Sequence, residues 1–291
     1  MLFTRLSVSC LAAILLIATT VSAQEPAKPR FTPDKPARVV IIGGSISVHP
    51  ANYGKFIAYG CKNVGTVNFG RARLKAKAIL RRFEVKVLAD KALMAELEGK
   101  KPWLLYLGGL NGVYAPERTR ANIIKTVKRA RARGFRIMAL TLPPWGSLED
   151  GRFFDFEGLF NMRATALVND YLTGVDKRFD AATRPDVTID IFNSKLRDSR
   201  AKKRDAKKLA AKFPTSRYKR RKGSRRRLIR QAREVPRMFM KKRYRGRYHF
   251  HPNWRGHRLI AGLICSQAPA DWGCDCAKIS RAWSKKGRIR P

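Results

Sequence analysis

Five short apolar runs cross the middle of the chain, and each ends in small, polar or proline residues. The runs occupy residues 38–42, 65–68, 103–107, 136–142 and 187–192. Stretches with helical periodicity, such as 118–133 and 159–172, lie between them. Near-continuous apolar strands that alternate with helices are typical of a parallel sheet covered on both faces. The pattern therefore predicts an α/β protein with three layers, α/β/α, around a central parallel sheet.

Loops of small and polar residues follow four of these candidate strands. They contain Gly43-Gly44-Ser45, Asn68-Phe69-Gly70, Gly109-Leu110-Asn111 and Pro143-Pro144. The carboxyl ends of parallel strands meet at one edge of a sheet, where α/β proteins bind their ligands. We therefore expect the functional site at this edge.

Residues 1–23 have the pattern of a secretory signal peptide. Arg5 precedes an apolar run at 11–17, and Val21-Ser22-Ala23 fits the small-residue cleavage motif. An uncleaved anchor is the alternative, although the run is short for a bilayer core about 30 Å thick. We expect a periplasmic or extracellular protein without a transmembrane span after cleavage, beginning with a flexible Pro- and Lys-rich lead-in at 24–36.

The net charge of +42 is concentrated in one segment. Residues 197–247 hold 24 basic and 3 acidic residues, which is half of the excess. With few apolar residues, this segment is predicted to be a basic insertion that projects from the fold, partly helical or disordered. It is either a solvated loop or a docking patch for polyanionic envelope components. Nucleic acid is not the expected partner, because no recognised nucleic-acid-binding module surrounds the segment.

Four cysteines remain once the signal peptide is removed: Cys61, Cys265, Cys274 and Cys276. An even number in an exported chain predicts two disulfides, and the spacing leaves all three connectivities open. A metal site is the alternative, but the C-x-C pair lacks a clear second pair of ligands. We expect no metal and no cofactor, and a basic C-terminal tail at 273–291.

Four sequence blocks carry the candidate chemistry: VVIIGGSIS, VGTVNFG, YLGGLNG and HFHPNWRGH. In this order they resemble the conserved blocks of the SGNH (GDSL-type) hydrolases, over residues 37–195 and 248–268. The resemblance implies a flavodoxin-like hydrolase domain at 37–196 and 248–272. It implies Ser45 as nucleophile and His251 as base, with an oxyanion hole formed by the Ser45 and Gly70 N–H groups and the Asn111 amide. The implied reaction removes an acyl group from a carbohydrate or lipid through an acyl-enzyme, without a cofactor.

Two departures from the family pattern bear on the activity. Gly44 replaces the aspartate of the first block. Tyr248 stands three residues before His251, where the family has the acid that orients the imidazole. A phenol is neutral at pH 7 and does not stabilise an imidazolium as a carboxylate does. Asp190, at the end of the last candidate strand, is a candidate substitute.

Other interpretations of the same residues stay open. Ser45 could cap a helix or belong to a phosphate-binding turn, and Asn111 could satisfy loop backbone groups. His251 could be a structural histidine, with His249 as a rival base. The sequence thus supports two hypotheses: a serine ester hydrolase, or a catalytically impaired SGNH-fold protein that binds anionic polymers through its basic insertion.

Overall fold

A parallel five-stranded sheet forms the centre of the computed structural model, which describes residues 30–32, 34–153, 156–200, 203–211, 235–247 and 250–291. The strands are β1 Ala37–Gly43, β2 Val64–Asn68, β3 Trp103–Leu107, β4 Arg136–Leu140 and β5 Val187–Ile189. Their order is β2-β1-β3-β4-β5. The strand order reverses between β1 and β3, and this switch point is where ligands bind in open α/β sheets.

Helices cover both faces of the sheet. One layer contains α1 Tyr53–Gly60, α7 Trp254–Cys265 and α8 Cys276–Arg281, whose apolar residues share a core cluster with one face of β1 and β3. The other layer contains α2 Ala76–Phe83, α3 Lys91–Leu97, α4 Pro116–Arg131 and α5 Phe156–Thr173. The predicted three-layer α/β/α fold is thereby confirmed.

The ends of the basic insertion pack onto the fold. Helix α6, Lys203–Ala211, buries Leu209, and the segment 235–247 buries Val235 and Phe239 in a cluster with Trp145 and Phe153. Both ends of the predicted projecting insertion therefore contribute apolar residues to a cluster that includes α5 residues. The middle of the insertion, residues 212–234, which contains the basic clusters at 219–222 and 225–227, lies outside the described residues.

The predicted tail at 273–291 is an ordered extension of the domain. It contains α8 and an antiparallel hairpin, β6 Trp283–Lys285 and β7 Arg288–Arg290. Two disulfides, Cys61–Cys274 and Cys265–Cys276, attach this segment to the ends of α1 and α7. Disulfide connectivity had been left open by the sequence, and the structure selects one of the three pairings.

The structure describes the N-terminal part of the chain from residue 30 onward, except for residue 33. Residues 1–29, which include the predicted signal peptide, lie outside the described residues. Of the predicted flexible lead-in, Phe31 is buried and its N–H donates to Glu96, so this end of the lead-in packs on the domain. None of the helices in the described ranges is both long and apolar enough to span a bilayer.

Candidate active site

The loop after β1 presents Ser45 at the carboxyl edge of the sheet. Gly44 precedes a short 3-10 turn, Ser45–Val48, and the Gly44 N–H donates to the Leu107 carbonyl of β3. A Cβ at Gly43 would lie 2.2 Å from the Leu107 oxygen, so only glycine permits this close approach of the two strand ends. The tight turn aims the Ser45 side chain outward at the β1/β3 switch point.

His251 reaches the same place from the far end of the sequence. It lies just before α7, in a loop held by a hydrogen bond from the Gly246 N–H to the His251 carbonyl. Asn253 caps α7 by accepting from the Gly256 N–H, and its own N–H donates to the Tyr244 carbonyl. His251 Nε2 lies 2.7 Å from Ser45 Oγ, although the two residues are 206 positions apart. The structure thus brings the predicted nucleophile and base into hydrogen-bond contact.

Two donors at the Ser45 loop suit a developing oxyanion. Within the described residues, the Ser45 N–H donates to no acceptor. The Asn111 Nδ2 lies 3.8 Å from where a Cβ on Gly44 would be, and it donates to the Leu74 carbonyl at 3.1 Å. An amide carries two hydrogens, so one remains for a substrate.

Gly70, the third expected donor, is engaged elsewhere. Its N–H donates to Asn68 Oδ1 at 2.8 Å, while Asn68 Nδ2 donates to the Ser47 carbonyl at 2.6 Å. The Asn68 side chain therefore ties the end of β2 to the Ser45 turn. In this conformation the Gly70 N–H is not available to a substrate.

His251 lacks a carboxylate partner within the part of the chain that the structure describes. Its ring is half-buried, and burial, with the nearby charges of His49 and Arg152, lowers the pKa of His251 below the usual 6.5. Asp190 accepts instead from Thr141 Oγ1 and from the N–H and side chain of Asn193. The structure does not bring Asp190 to His251, while Tyr248 and His249 lie outside the described residues.

Two further histidines, whose contact the sequence did not indicate, stack on each other near the site. His257 of α7 is fully buried and stacks on His49 with ring centroids 4.7 Å apart. Neither nitrogen of His257 has a hydrogen-bond partner in the described ranges. Burial and the neighbouring His49 and His251 hold the pKa of His257 well below 6.5. The one sequence signal is its place among the apolar residues on the inner side of α7.

Two cavities of very different size lie near Ser45 and His251, and both are lined by Leu110 and Asn111. The smaller, about 20 Å³, is lined by residues that include Ser45, Leu74 and Leu142. The larger, about 310 Å³, is lined by Asn111, Tyr114, Trp145, Arg152, Asn161 and Phe250, among others. Asn111 borders both cavities, and Phe250, whose ring centroid lies 4.1 Å from that of His251, lines the larger one.

The walls of the larger cavity combine aromatic rings with a few polar groups. The Arg152 guanidinium lies 5.1 Å from the Trp145 ring and 4.7 Å from the Phe250 ring, and it pairs with buried Asp150. Asn161 Oδ1 is buried without a hydrogen-bond partner among the described residues. Phe250 reaches these walls from a segment distant in sequence from residues 145–161, which supply the tryptophan, the arginine and the asparagine. The cavity therefore depends on tertiary packing, which no sequence pattern indicated.

No group of three or more histidine, cysteine, aspartate or glutamate side chains within the described ranges could hold a metal ion.

Comparison with known proteins identifies relatives by structure alone. No protein family and no curated sequence matches the chain. A protein from Bacteroides fragilis NCTC 9343, provisionally described as an acylhydrolase, is similar with a TM-score of 0.51 and 16% identity, over 86% of this chain and 95% of that one.

Two further solved structures show weaker likenesses. A GDSL-like lipase from Bacteroides thetaiotaomicron VPI-5482 has a TM-score of 0.49 and 15% identity, over 80% of this chain and 88% of that one. The acetyl xylan esterase AlAXEase has a TM-score of 0.46 and 14% identity, over 80% of this chain and 100% of that one. With the strand order, the likeness to the Bacteroides fragilis protein confirms the SGNH hydrolase fold.

Proposed function

We propose that this chain, which has the SGNH hydrolase fold, is an exported serine ester hydrolase of that family and removes acyl groups from a carbohydrate or lipid. The observation that carries the proposal is the 2.7 Å contact between Ser45 Oγ and His251 Nε2 at the switch point of the sheet. A serine hydroxyl becomes an effective nucleophile when an adjacent base accepts its proton. An imidazole whose pKa lies below 6.5 is neutral at pH 7 and can serve as that base.

The reaction proceeds in two halves. Ser45 Oγ attacks the ester carbonyl carbon while His251 Nε2 accepts the serine proton, and the Ser45 N–H and the Asn111 amide stabilise the oxyanion. The imidazolium then protonates the departing alcohol, leaving an acyl ester on Ser45. Water attacks this ester and gives a proton to His251. Collapse of the second intermediate returns that proton to Ser45 and releases the acid.

The two cavities support a short acyl group. A cavity needs roughly 10–15 Å³ of probe volume to hold one water molecule, so the cavity of about 20 Å³ at Ser45 suits an acetyl-sized group. The larger cavity, with aromatic walls and the polar groups of Arg152 and Asn161, suits a hydroxyl-bearing alcohol such as a sugar. We therefore expect p-nitrophenyl acetate to be hydrolysed with a higher kcat/KM than the octanoate ester, and equal values would contradict this assignment.

A second candidate function has its own support. Among the described residues no carboxylate contacts His251, and the Gly70 N–H is bound by Asn68. Both features would slow an ester hydrolase, because the imidazolium and the oxyanion are each less stabilised. The alternative is a catalytically impaired SGNH-fold protein that binds anionic envelope polymers through its basic insertion.

Hydrolysis of p-nitrophenyl acetate separates the two candidates. We expect turnover by the purified protein, and a fall to background in Ser45→Ala and in His251→Ala. Ser280→Ala is the matched control, because this exposed serine bonds only its own helix. If Ser45→Ala and the unmodified protein have the same turnover, the hydrolase proposal is wrong and the binding function stands.

Export is supported by the two disulfides, which form and persist in oxidising compartments. We expect the protein recovered from the periplasm or medium to begin at Gln24, after cleavage behind Ala23. Mass spectrometry of the intact protein measures this directly. Recovery from the cytoplasm with residues 1–23 retained would contradict it.

A further inference from the structure

The C-terminal hairpin presents a basic face with one aromatic residue. In its antiparallel register Trp283 pairs with Arg290, and Lys285 pairs with Arg288. Alternate residues of a strand point to opposite faces, so these four side chains share one face. All four are exposed, whereas Ser284 and Ile289 on the other face are partly buried. The hairpin therefore turns its most polar side to solvent.

The charges on this face are not compensated by acidic residues. None of the ion pairs among the described residues includes Lys285, Arg288 or Arg290. Trp283 is 39% exposed, and the Arg290 guanidinium lies 5.7 Å from its ring. Three cations around an exposed indole, on a chain of net charge +42, form a surface complementary to an anionic partner.

The hairpin is fixed in place against the loop that follows the proposed nucleophile. Lys286 and Gly287 both have positive φ, as in a tight two-residue hairpin turn, and a Cβ on Gly287 would lie 3.0 Å from the Pro50 carbonyl. Lys55 Nζ donates to the Gly287 carbonyl at 3.4 Å. Pro50 follows Ser45 by five residues. The turn of the hairpin therefore packs against the loop that continues from the nucleophile.

The base of the hairpin is anchored as well. Arg258 of α7 donates to the Ala282 carbonyl at 2.7 Å, immediately before β6. The two disulfides hold the preceding segment to α1 and α7. A partner that docks on this face meets a preorganised surface, which reduces the entropy cost of binding.

We propose that this hairpin face binds an acidic polysaccharide and holds the polymer next to the Ser45 site. An indole offers a flat apolar surface for a sugar ring, and the three cations meet its carboxylates or sulfates. A bilayer-docking face needs several protruding apolar residues, and single-stranded nucleic acid uses successive aromatic platforms. The hairpin face has one aromatic residue. This inference does not depend on ester hydrolysis.

Binding to sodium polygalacturonate at physiological salt tests the proposal. The variant Lys285→Ser/Arg288→Ser/Arg290→Ser is compared with Lys77→Ser/Lys86→Ser/Lys100→Ser, which removes the same charge from exposed positions in α2 and in the segments that follow α2 and α3. We expect the Kd to rise about tenfold for the hairpin variant and less than about twofold for the control, since a local contact outweighs screened distant charge. Equal Kd changes in the two variants, or none in either, would overturn the proposal.

Substitutions of Trp283 distinguish binding that includes stacking on a sugar ring from binding by charge alone. We expect Trp283→Phe to retain most of the affinity for polygalacturonate. We expect the Kd of Trp283→Ala to rise about fivefold, as is typical for the loss of one aromatic contact. Unchanged thermal unfolding and unchanged far-UV circular dichroism show that these variants are folded. If vesicles rich in phosphatidylglycerol or an oligo-dT strand bind more tightly than polygalacturonate, with the same dependence on the hairpin, the partner class is wrong.

Discussion

The buried His257 makes a testable contribution to the pH dependence of stability. Its ring is fully buried against His49, and both nitrogens are without partners in the described ranges. The substitution His257→Phe keeps an aromatic ring in the same space and removes two unsatisfied polar atoms. A buried polar group without a partner costs about 1–3 kcal/mol. We therefore expect His257→Phe to be at least as stable as the unmodified protein at pH 7.5.

The magnitude of the acid effect follows from linkage. The unfolded histidine takes a proton near pH 6.5, whereas burial holds the pKa of His257 well below that value in the native state. The stability that its neutral form provides is therefore complete above pH 6.5 and declines as the pH falls below it. The slope for one group is at most about 1.4 kcal/mol per pH unit, so lowering the pH to 5 removes at most about 2 kcal/mol.

Urea unfolding followed by circular dichroism at pH 7.5 and pH 5 measures this contribution. We expect the loss of stability between the two pH values to be smaller in His257→Phe, by at most about 2 kcal/mol. The matched control is His251→Gln, in which a half-buried histidine is removed and a smaller change is expected. An unaltered pH dependence in His257→Phe, or a large destabilisation at pH 7.5, would refute this reasoning.

Three further predictions concern the site and the disulfides. Asn111→Ala should lower kcat/KM about 100- to 1,000-fold by removing an oxyanion donor, with unchanged thermal unfolding; a change under about threefold would contradict the assigned role. The acid limb of the kcat/KM profile should have its midpoint below pH 6.5, because burial lowers the pKa of His251; a midpoint above that value would contradict a neutral base. Replacing Cys61 and Cys274 by serine should cost about 5 kcal/mol in the chain-entropy model, against about 3 kcal/mol for the second disulfide, because the loops span 213 and 11 residues; calorimetry that reverses this order would contradict it.

The sheet and the position of Ser45 after β1 could be predicted because both depend on local patterns. Continuous apolar runs mark strands that are buried on both faces, and glycine marks the tight turn after β1. Once the sheet is parallel, the ends of β1 and β3 must share an edge. Only the resemblance of the HFHPNWRGH block to a known family placed His251 at that edge.

The remaining features depend on packing between distant segments. The hairpin was predicted to be part of a tail. Only Ser284 and Ile289 of its strands face the domain, and the many cations around them leave no recognisable strand pattern of alternating apolar and polar residues. The sequence position of Asp190 made it a candidate for the acid that orients His251. In the structure its carboxylate accepts hydrogen bonds from the N–H and the side chain of Asn193 in the same loop. The exposure of Asn161 to a cavity and the stacking of His257 on His49 depend on tertiary packing, and no local pattern predicts them.

The central claim is that the Ser45 hydroxyl is activated by His251. Incubation with a fluorophosphonate, followed by peptide mass spectrometry, tests it most directly. We predict one adduct on the Ser45 peptide of the unmodified protein, with labelling abolished in Ser45→Ala and strongly slowed in His251→Ala. Absence of an adduct at Ser45, or labelling at the same rate in His251→Ala, would contradict the account.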